Sequence, residues 1–396
     1  MNQPSLRLRN VDGIRGLSLL GILLANMLCF QYGMWGMQDL SFFNLSAADS
    51  IALTALKIVV ETSFMPIFAF LFGFGIIKMK ENIELSGRPG HPAAHLARRF
   101  VFLVVLGLAH YIFLWEGDVL VTYGLAGFGM LLFINAKPRT LFIWGIAFMI
   151  IASLISYGAL NETIASNAVM DKFNTQTVDV YGSGNFTEII AHRTTEDPLD
   201  LHGFYYIVML LIGPLLVVPM FLFGMAAAKY RLLHQPENEK ALYMKIAAIL
   251  IPLGLLLKSV KHIFPDFGFG GSINSLGGTI LALGYLSAFA LLFADRPRWL
   301  SGWLNRFESV GKLSLSNYLL QTIASVLVFY GYGLGLFGKA GIIGGIAIGI
   351  AIYIAQSFAS QLYLRKFRIG PVERILRAWT ALQWKPRGTK SGGVNM

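Results

Sequence analysis

The chain is poor in charge and nearly free of cysteine. Only 13% of its 396 residues are Asp, Glu, Lys or Arg, about half the share in a soluble domain. A soluble chain of this length would need more polar surface to cover its core. Cys29 is the one cysteine, which excludes an internal disulfide and a cysteine-built metal cluster. Phosphate loops and Ser-His-Asp signatures are missing, and Gly73-Phe74-Gly75 is too short a pattern for a dinucleotide site. No internal repeat and no soluble catalytic domain is evident. The apolar run ending at Cys29 lacks a small-x-small cleavage signal. Leu28 also stands where a lipoprotein site needs a small residue, so the run reads as a retained first helix.

What the sequence has is long apolar runs, many reaching the roughly 20 residues that cross a bilayer core. They predict an all-α polytopic membrane protein with helices near 11–30, 55–77, 98–116, 119–135, 140–160, 203–228, 244–264, 273–294, 313–332 and 340–364. The third and fourth are separated only by Glu116, Gly117 and Asp118, a tight hairpin. Pro66, Pro214, Pro219 and Pro252 fall inside predicted helices, which membrane helices tolerate. Gly341, Gly344, Gly345 and Gly349 would let the tenth helix approach its neighbours closely.

Charge placement tests this map. With the N-terminus inside, 26 of the 32 Lys and Arg residues fall on the inner side, among them Arg7, Arg88 and eight from Arg365 to Lys390. Only Lys57, Lys172, Arg193, Lys258, Lys261 and Lys339 fall outside. Such asymmetry is the positive-inside signature and places both termini in the cytoplasm. It also accounts for the net charge of +11 without nucleic acid. Residues 1–364 form the transmembrane domain, with 161–202 an acidic external loop or small cap. Residues 365–396 form a basic cytoplasmic tail. Within it Pro371 opens an interfacial helix, with Val372, Ile375, Leu376 and Trp379 on one face and Arg374 and Arg377 on the other. A soluble docking helix is the alternative there.

A charge at mid-bilayer costs roughly 2.5–3.5 kcal/mol, so polar groups in these helices are the places to look for function. Asp12 and Arg15 share a face, either as an ion pair at headgroup level or as an anchor for an anionic ligand from the cytoplasm. Asn26 lies three turns further on that face, a packing group or a substrate contact. His110 falls roughly 9 Å inside the outer end of its helix. With Glu116 and Asp118 nearby, it has the minimum set for general-base chemistry, against the plainer role of a helix–helix hydrogen bonder. No second ligand at metal spacing accompanies it, so no metal is expected. Glu61, and the pair Asn317 and Gln321 with Ser316, are further candidates for substrate binding or interhelical hydrogen bonds. Arg98 and Arg99 could grip phosphates or simply anchor the inner end of their helix.

The stretches RLRNVDGIRGLSLLGILLAN (7–26), FAFLFGFG (68–75), GLAHYIFLWEGD (107–118), GKLSLSNYLLQ (311–321) and IGPVER (369–374) resemble, in order, signatures of the YeiB-like bacterial membrane family, domain of unknown function 418. Arg374 departs from the tryptophan expected there. The family is similar to transmembrane acyltransferases, including the heparan glucosaminide N-acetyltransferase type. These share a ten-helix core, take a cytoplasmic acyl-CoA and acylate a sugar on the far side. In the acyltransferase-3 branch a histidine occupies the position of Asn26, so here His110 is the remaining base. The resemblance implies acyl-CoA or acetyl-CoA as co-substrate, for which Asp12, Arg15, Arg98 and Arg99, read above as candidate anion anchors, are the expected holders. His110, with Asp118 or Glu116, would be catalytic, and Asn26, Glu61, Asn317 and Gln321 would meet substrate. Expected partners are membrane lipids and a small-molecule or glycan substrate, with a homodimer left open; the expected location is a bacterial inner membrane. A transporter or flippase is the alternative function, and a non-catalytic scaffold a third.

Overall fold

The computed structural model describes residues 8–85, 91–157, 167–198 and 204–382. Arg7, Arg88, the tail beyond 382 and parts of 161–202 lie outside them. In chain order the helices are α1 (Arg9–Gly36), α2 (Ala47–Val59), α3 (Phe64–Leu85), α4 (Pro92–Phe113), α5 (Leu120–Met130), α6 (Pro138–Ile155), α7 (Asn167–Ser183), α8 (Phe186–Thr195), α9 (Phe204–Lys229), α10 (Lys240–Ile263), α11 (Gly270–Asp295), α12 (Ser301–Lys312), α13 (Ser314–Phe329), α14 (Gly341–Lys366) and α15 (Pro371–Ala381). Among the described residues eight helical spans are long and apolar enough to cross a membrane, and α5 and α13 are shorter apolar helices. Each predicted run is helical, the second with a break, and the chain is an all-α polytopic membrane protein.

The bundle turns its apolar side chains outward as well as inward. Ile143 and Ile150 on α6 and Leu253 and Leu256 on α10 are exposed, as suits hydrocarbon rather than water. Inside, small residues set the crossings. A Cβ on Gly311 would collide with the Asp12 carbonyl, and one on Gly16 with the Phe307 carbonyl, so α1 and α12 meet backbone to backbone. Gly73 and Gly224 do the same for α3 and α9. On α14, Gly345 and Gly349 admit Gln31 and Met27 of α1. Gly341 has another role, a left-handed φ of 69° at the helix start. Pro66 falls in the first turn of α3, where its missing N–H breaks no helical bond; Pro214, Pro219 and Pro252 lie inside α9 and α10.

Two local differences from the sequence map matter. The predicted second helix is broken: α2 ends at Val59, Thr62 takes a left-handed φ of 59°, and α3 begins at Phe64. Lys258 of α10, fully buried, fills the break. Its Nζ donates to the Glu61 carbonyl and to Ser63 Oγ, satisfying backbone that the break exposes. The segment 114–119 between α4 and α5 is also drawn into the protein, with Trp115 at 1% exposure. Above it lie α7 and α8. Arg193 of α8 donates to the Ile112 and Leu114 carbonyls at the end of α4, where a cation suits the helix C-terminus.

One face of the bundle gathers the cations. Arg9 and Arg296 pair with Glu308, Lys240 with Asp295, and Lys229 donates to the Ile134 and Ala136 carbonyls. The tail helix α15 docks at this basic face. Glu373 accepts from the Leu315 and Ser316 N–H groups at the start of α13, at 2.9 and 3.1 Å, and from Ser316 Oγ at 2.5 Å. Arg98 Nε donates to the Thr380 carbonyl, and Trp379 Nε1 to the Arg98 carbonyl. The apolar stripe of α15 is divided: Leu376 is buried against the bundle, while Ile375 and Trp379 remain exposed. One side is therefore docked, and the other is free for the membrane interface.

Candidate functional site

Two cavities enter the bundle from opposite faces. The first, of about 290 Å³, lies behind α15 at the basic face. Arg15, Arg99, Lys312 and Arg377 line it, with Glu373 at its edge and Asn26, Gly117, Tyr123 and Tyr318 deeper in. Arg99 feels the charges of Arg15, Arg377 and Glu373, so several cationic groups converge where an anion would bind. Arg15 Nη1 lies 3.1 Å from Asp12 Oδ1, so the predicted pair forms at the cavity wall.

The second cavity, of about 350 Å³, lies under the cap of α7 and α8. Trp35, Tyr111, Phe173 and Tyr181 give it aromatic walls, and Glu116, Thr177, His192, Arg193 and Glu196 give it polar ones. Glu116 lies 3.4 Å from Arg193. Burial holds the His192 imidazole below its ordinary pKa, against the opposing charge of Glu196.

The segment 114–119 is the wall between them. Consecutive residues open to opposite sides: Glu116 lines the cap-side cavity and Gly117 the basic-side one. His110 and Asp118 are enclosed at this wall. His110 Nδ1 is 3.0 Å from Asp118 Oδ1, with both side chains at most 1% exposed. The contact is not aligned as a hydrogen bond, a common state of catalytic pairs without substrate. His110 Nε2 is 3.0 Å from Thr322 Oγ1 on α13. The rings of Trp115 and Tyr318 flank the imidazole, with centroids 6.4 and 5.4 Å away.

Of the residues singled out by sequence, the structure joins His110 to Asp118, places Glu116 in the cap-side cavity, and places Arg15, Arg99 and Asn26 in the basic-side one. Others serve the framework. Arg98 holds α15. Asn317 donates to the Val310 carbonyl and Ser360 Oγ, and Gln321 to Gln356, tying α13 to α12 and α14. Glu61 lies at the α2–α3 break and lines neither cavity. Among the described residues no group of three His, Cys, Asp or Glu side chains is placed to hold a metal ion. Sequence reasoning missed Arg377, Lys312, Tyr318 and Thr322. The signal for the last three was present: 312, 315, 318 and 322 follow helical spacing within and just beyond GKLSLSNYLLQ.

The model of the family described as "Protein of unknown function (DUF418)" matches residues 227–383. "Uncharacterized protein YeiB" of Escherichia coli K12 is 26% identical over 94% of this chain and 96% of its own length. "Uncharacterized protein YxaH" of Bacillus subtilis strain 168 is 35% identical over 98% of both chains. With a relative this similar along nearly its whole length, the chain belongs to the YeiB-like DUF418 family of bacterial membrane proteins.

Proposed function

We propose that the protein is an acyltransferase of the bacterial inner membrane. It moves an acyl group from cytoplasmic acyl-CoA to a hydroxyl acceptor, a sugar or cell-envelope glycan, at the outer face. The basic face is cytoplasmic, as the positive-inside pattern requires. Arg15, Arg99, Lys312 and Arg377 take the phosphates of acyl-CoA, and the thioester reaches inward past Asn26 toward Tyr318. The acceptor enters under the α7–α8 cap, where aromatic rings meet sugar faces and Glu116, His192 and Glu196 meet hydroxyls. His110 moves the proton and Asp118 steadies the imidazolium.

The observation that carries this reading is the 114–119 wall. It carries Asp118, which meets His110 at the end of α4, while its neighbouring residues Glu116 and Gly117 line cavities from opposite faces. A transporter open to one face at a time fits such a wall too, and one experiment separates them. Purified protein in detergent, given acyl-CoA and candidate glycans, releases free CoA if it is a transferase, and His110→Ala abolishes the release without unfolding the protein. Uptake into sealed vesicles with no CoA consumed would assign transport instead.

A further inference from the structure

We propose that Thr322 is the nucleophile of a two-step transfer, carrying the acyl group as an ester on Oγ1 between the donor and the acceptor. This rests on the acyl-transfer reading above and adds a covalent intermediate to it.

Three features of the wall lead here. The first is the order of groups. Thr322 Oγ1, the His110 imidazole and the Asp118 carboxylate stand in line, each step 3.0 Å. A hydroxyl, a base and an orienting carboxylate in sequence are the arrangement that activates a hydroxyl for acyl chemistry. The second is that both ring nitrogens of His110 already face protein groups. With Nδ1 turned to Asp118, Nε2 faces the Thr322 hydroxyl, so the proton nearest the base belongs to Thr322 and not to a substrate. That proton has little competition from the helix: the Tyr318 carbonyl one turn back is 3.5 Å away, at the limit of a hydrogen bond. The third is the separation of the cavities. Direct transfer needs thioester and acceptor within about 3 Å of each other, yet the 114–119 segment stands between the two compartments. A residue inside the wall can be loaded from one side and unloaded to the other.

The course of α13 makes this physical. Leu315 and Tyr318 line the basic-side cavity. Thr322 follows one turn later, roughly 6 Å along the axis. Just beyond the helix end, Tyr330 packs on Tyr181 of the cap, ring centroids 4.8 Å apart, and Tyr181 lines the other cavity. Thr322 is 1% exposed, so side chains around it must move for the thioester to reach it.

The steps balance without any redox partner. Thr322 Oγ1 bonds to the thioester carbonyl carbon as its proton passes to His110 Nε2. The C–S bond breaks, and the same proton goes to the leaving sulfur, releasing CoA as thiol. The acceptor hydroxyl then gives its proton to Nε2 and bonds to the ester carbon. The C–Oγ1 bond breaks, and Thr322 recovers its proton.

The test is isotope exchange without acceptor. The full chain in detergent receives acetyl-CoA or palmitoyl-CoA with isotope-labelled free CoA. Label moves into acyl-CoA, and the protein gains one acyl mass on the α13 peptide at Thr322. Thr322→Val cuts exchange by about 10²-fold or more, while Thr322→Ser keeps most of it and shows that α13 still folds and packs. Methyl glucoside is then added as the acceptor probe. Acceptor-dependent CoA release without exchange, or exchange undiminished in Thr322→Val, overturns the intermediate and leaves the transferase reading standing. If neither exchange nor release occurs with either thioester, both fall together.

Discussion

Among the described residues two histidine–threonine pairs stand out, and they differ in how firmly the hydroxyl is already committed to its own helix. His192 Nε2 lies 2.9 Å from Thr177 Oγ1 in the cap, and His110 Nε2 lies 3.0 Å from Thr322 Oγ1 in the wall. Thr177 already donates to the Phe173 carbonyl of its own helix at 2.8 Å. Its oxygen is left to accept, so His192 is the donor and the contact ties α7 to α8. Thr322 has only a 3.5 Å approach to its own helix carbonyl, and its partner has a carboxylate on the far nitrogen. His192 instead stacks on Phe173, centroids 5.3 Å apart. An imidazole beside a hydroxyl therefore says little by itself. The third group on the ring and the prior commitment of the hydroxyl proton separate a structural pair from a reactive one.

Four changes test that contrast, from the largest effect to the smallest. Asp118→Asn keeps the shape of the wall pair and removes its charge. CoA release should fall by about 10²–10⁴-fold, and a loss under tenfold would make the two pairs equivalent. Thr177→Val leaves the His192 N–H facing an apolar group in the cap, costing about 1–3 kcal/mol; thermal unfolding of the solubilised protein reads this. The third change is in pH. Because His192 is held neutral by burial, its folded-state pKa lies below the unfolded value near 6.5. Its stabilisation is complete above that value and is lost as pH falls through the folded-state one. Protection of the amides in α7 and α8, measured against their intrinsic exchange rates at each pH, should fall from pH 7 to 5, and most of that fall should disappear in His192→Gln. Last, Phe173→Leu removes the stacked ring and should loosen the cap by about 0.5–1.5 kcal/mol beyond the lost area, seen as a small shift in the same exchange experiment.

Much of the architecture was readable because bilayer thickness fixes the length of an apolar run. The α2–α3 break was not, because Ile51 to Ile77 is apolar with few interruptions and what stabilises the break, Lys258, lies almost 200 residues away. At the site, His110 stood out because an ionisable group in an apolar helix is costly, and Asp118 because it follows within the short hairpin beside it. Thr322 did not, since a hydroxyl can return its proton to the preceding turn at little cost and leaves no trace in hydropathy. Arg377 was assigned to an exposed polar face because helical periodicity treats a docked helix and an interfacial one alike. The docking of α15, through Glu373 on α13 and through Thr380 and Trp379 on Arg98, sets Arg377 at the cavity. Asn317 and Gln321 share one face, as their spacing implies, and that face hydrogen-bonds α12 and α14, the interhelical reading of the pair.

The grip of Glu373 on the first turn of α13 has a mechanical consequence. That carboxylate clasps Ser316, and the hydroxyl beside His110 rides on the same rigid rod six residues along. A sideways slide of the amphipathic tail, as when the surrounding leaflet thins or thickens, would be carried along the rod to the buried imidazole with little lost on the way.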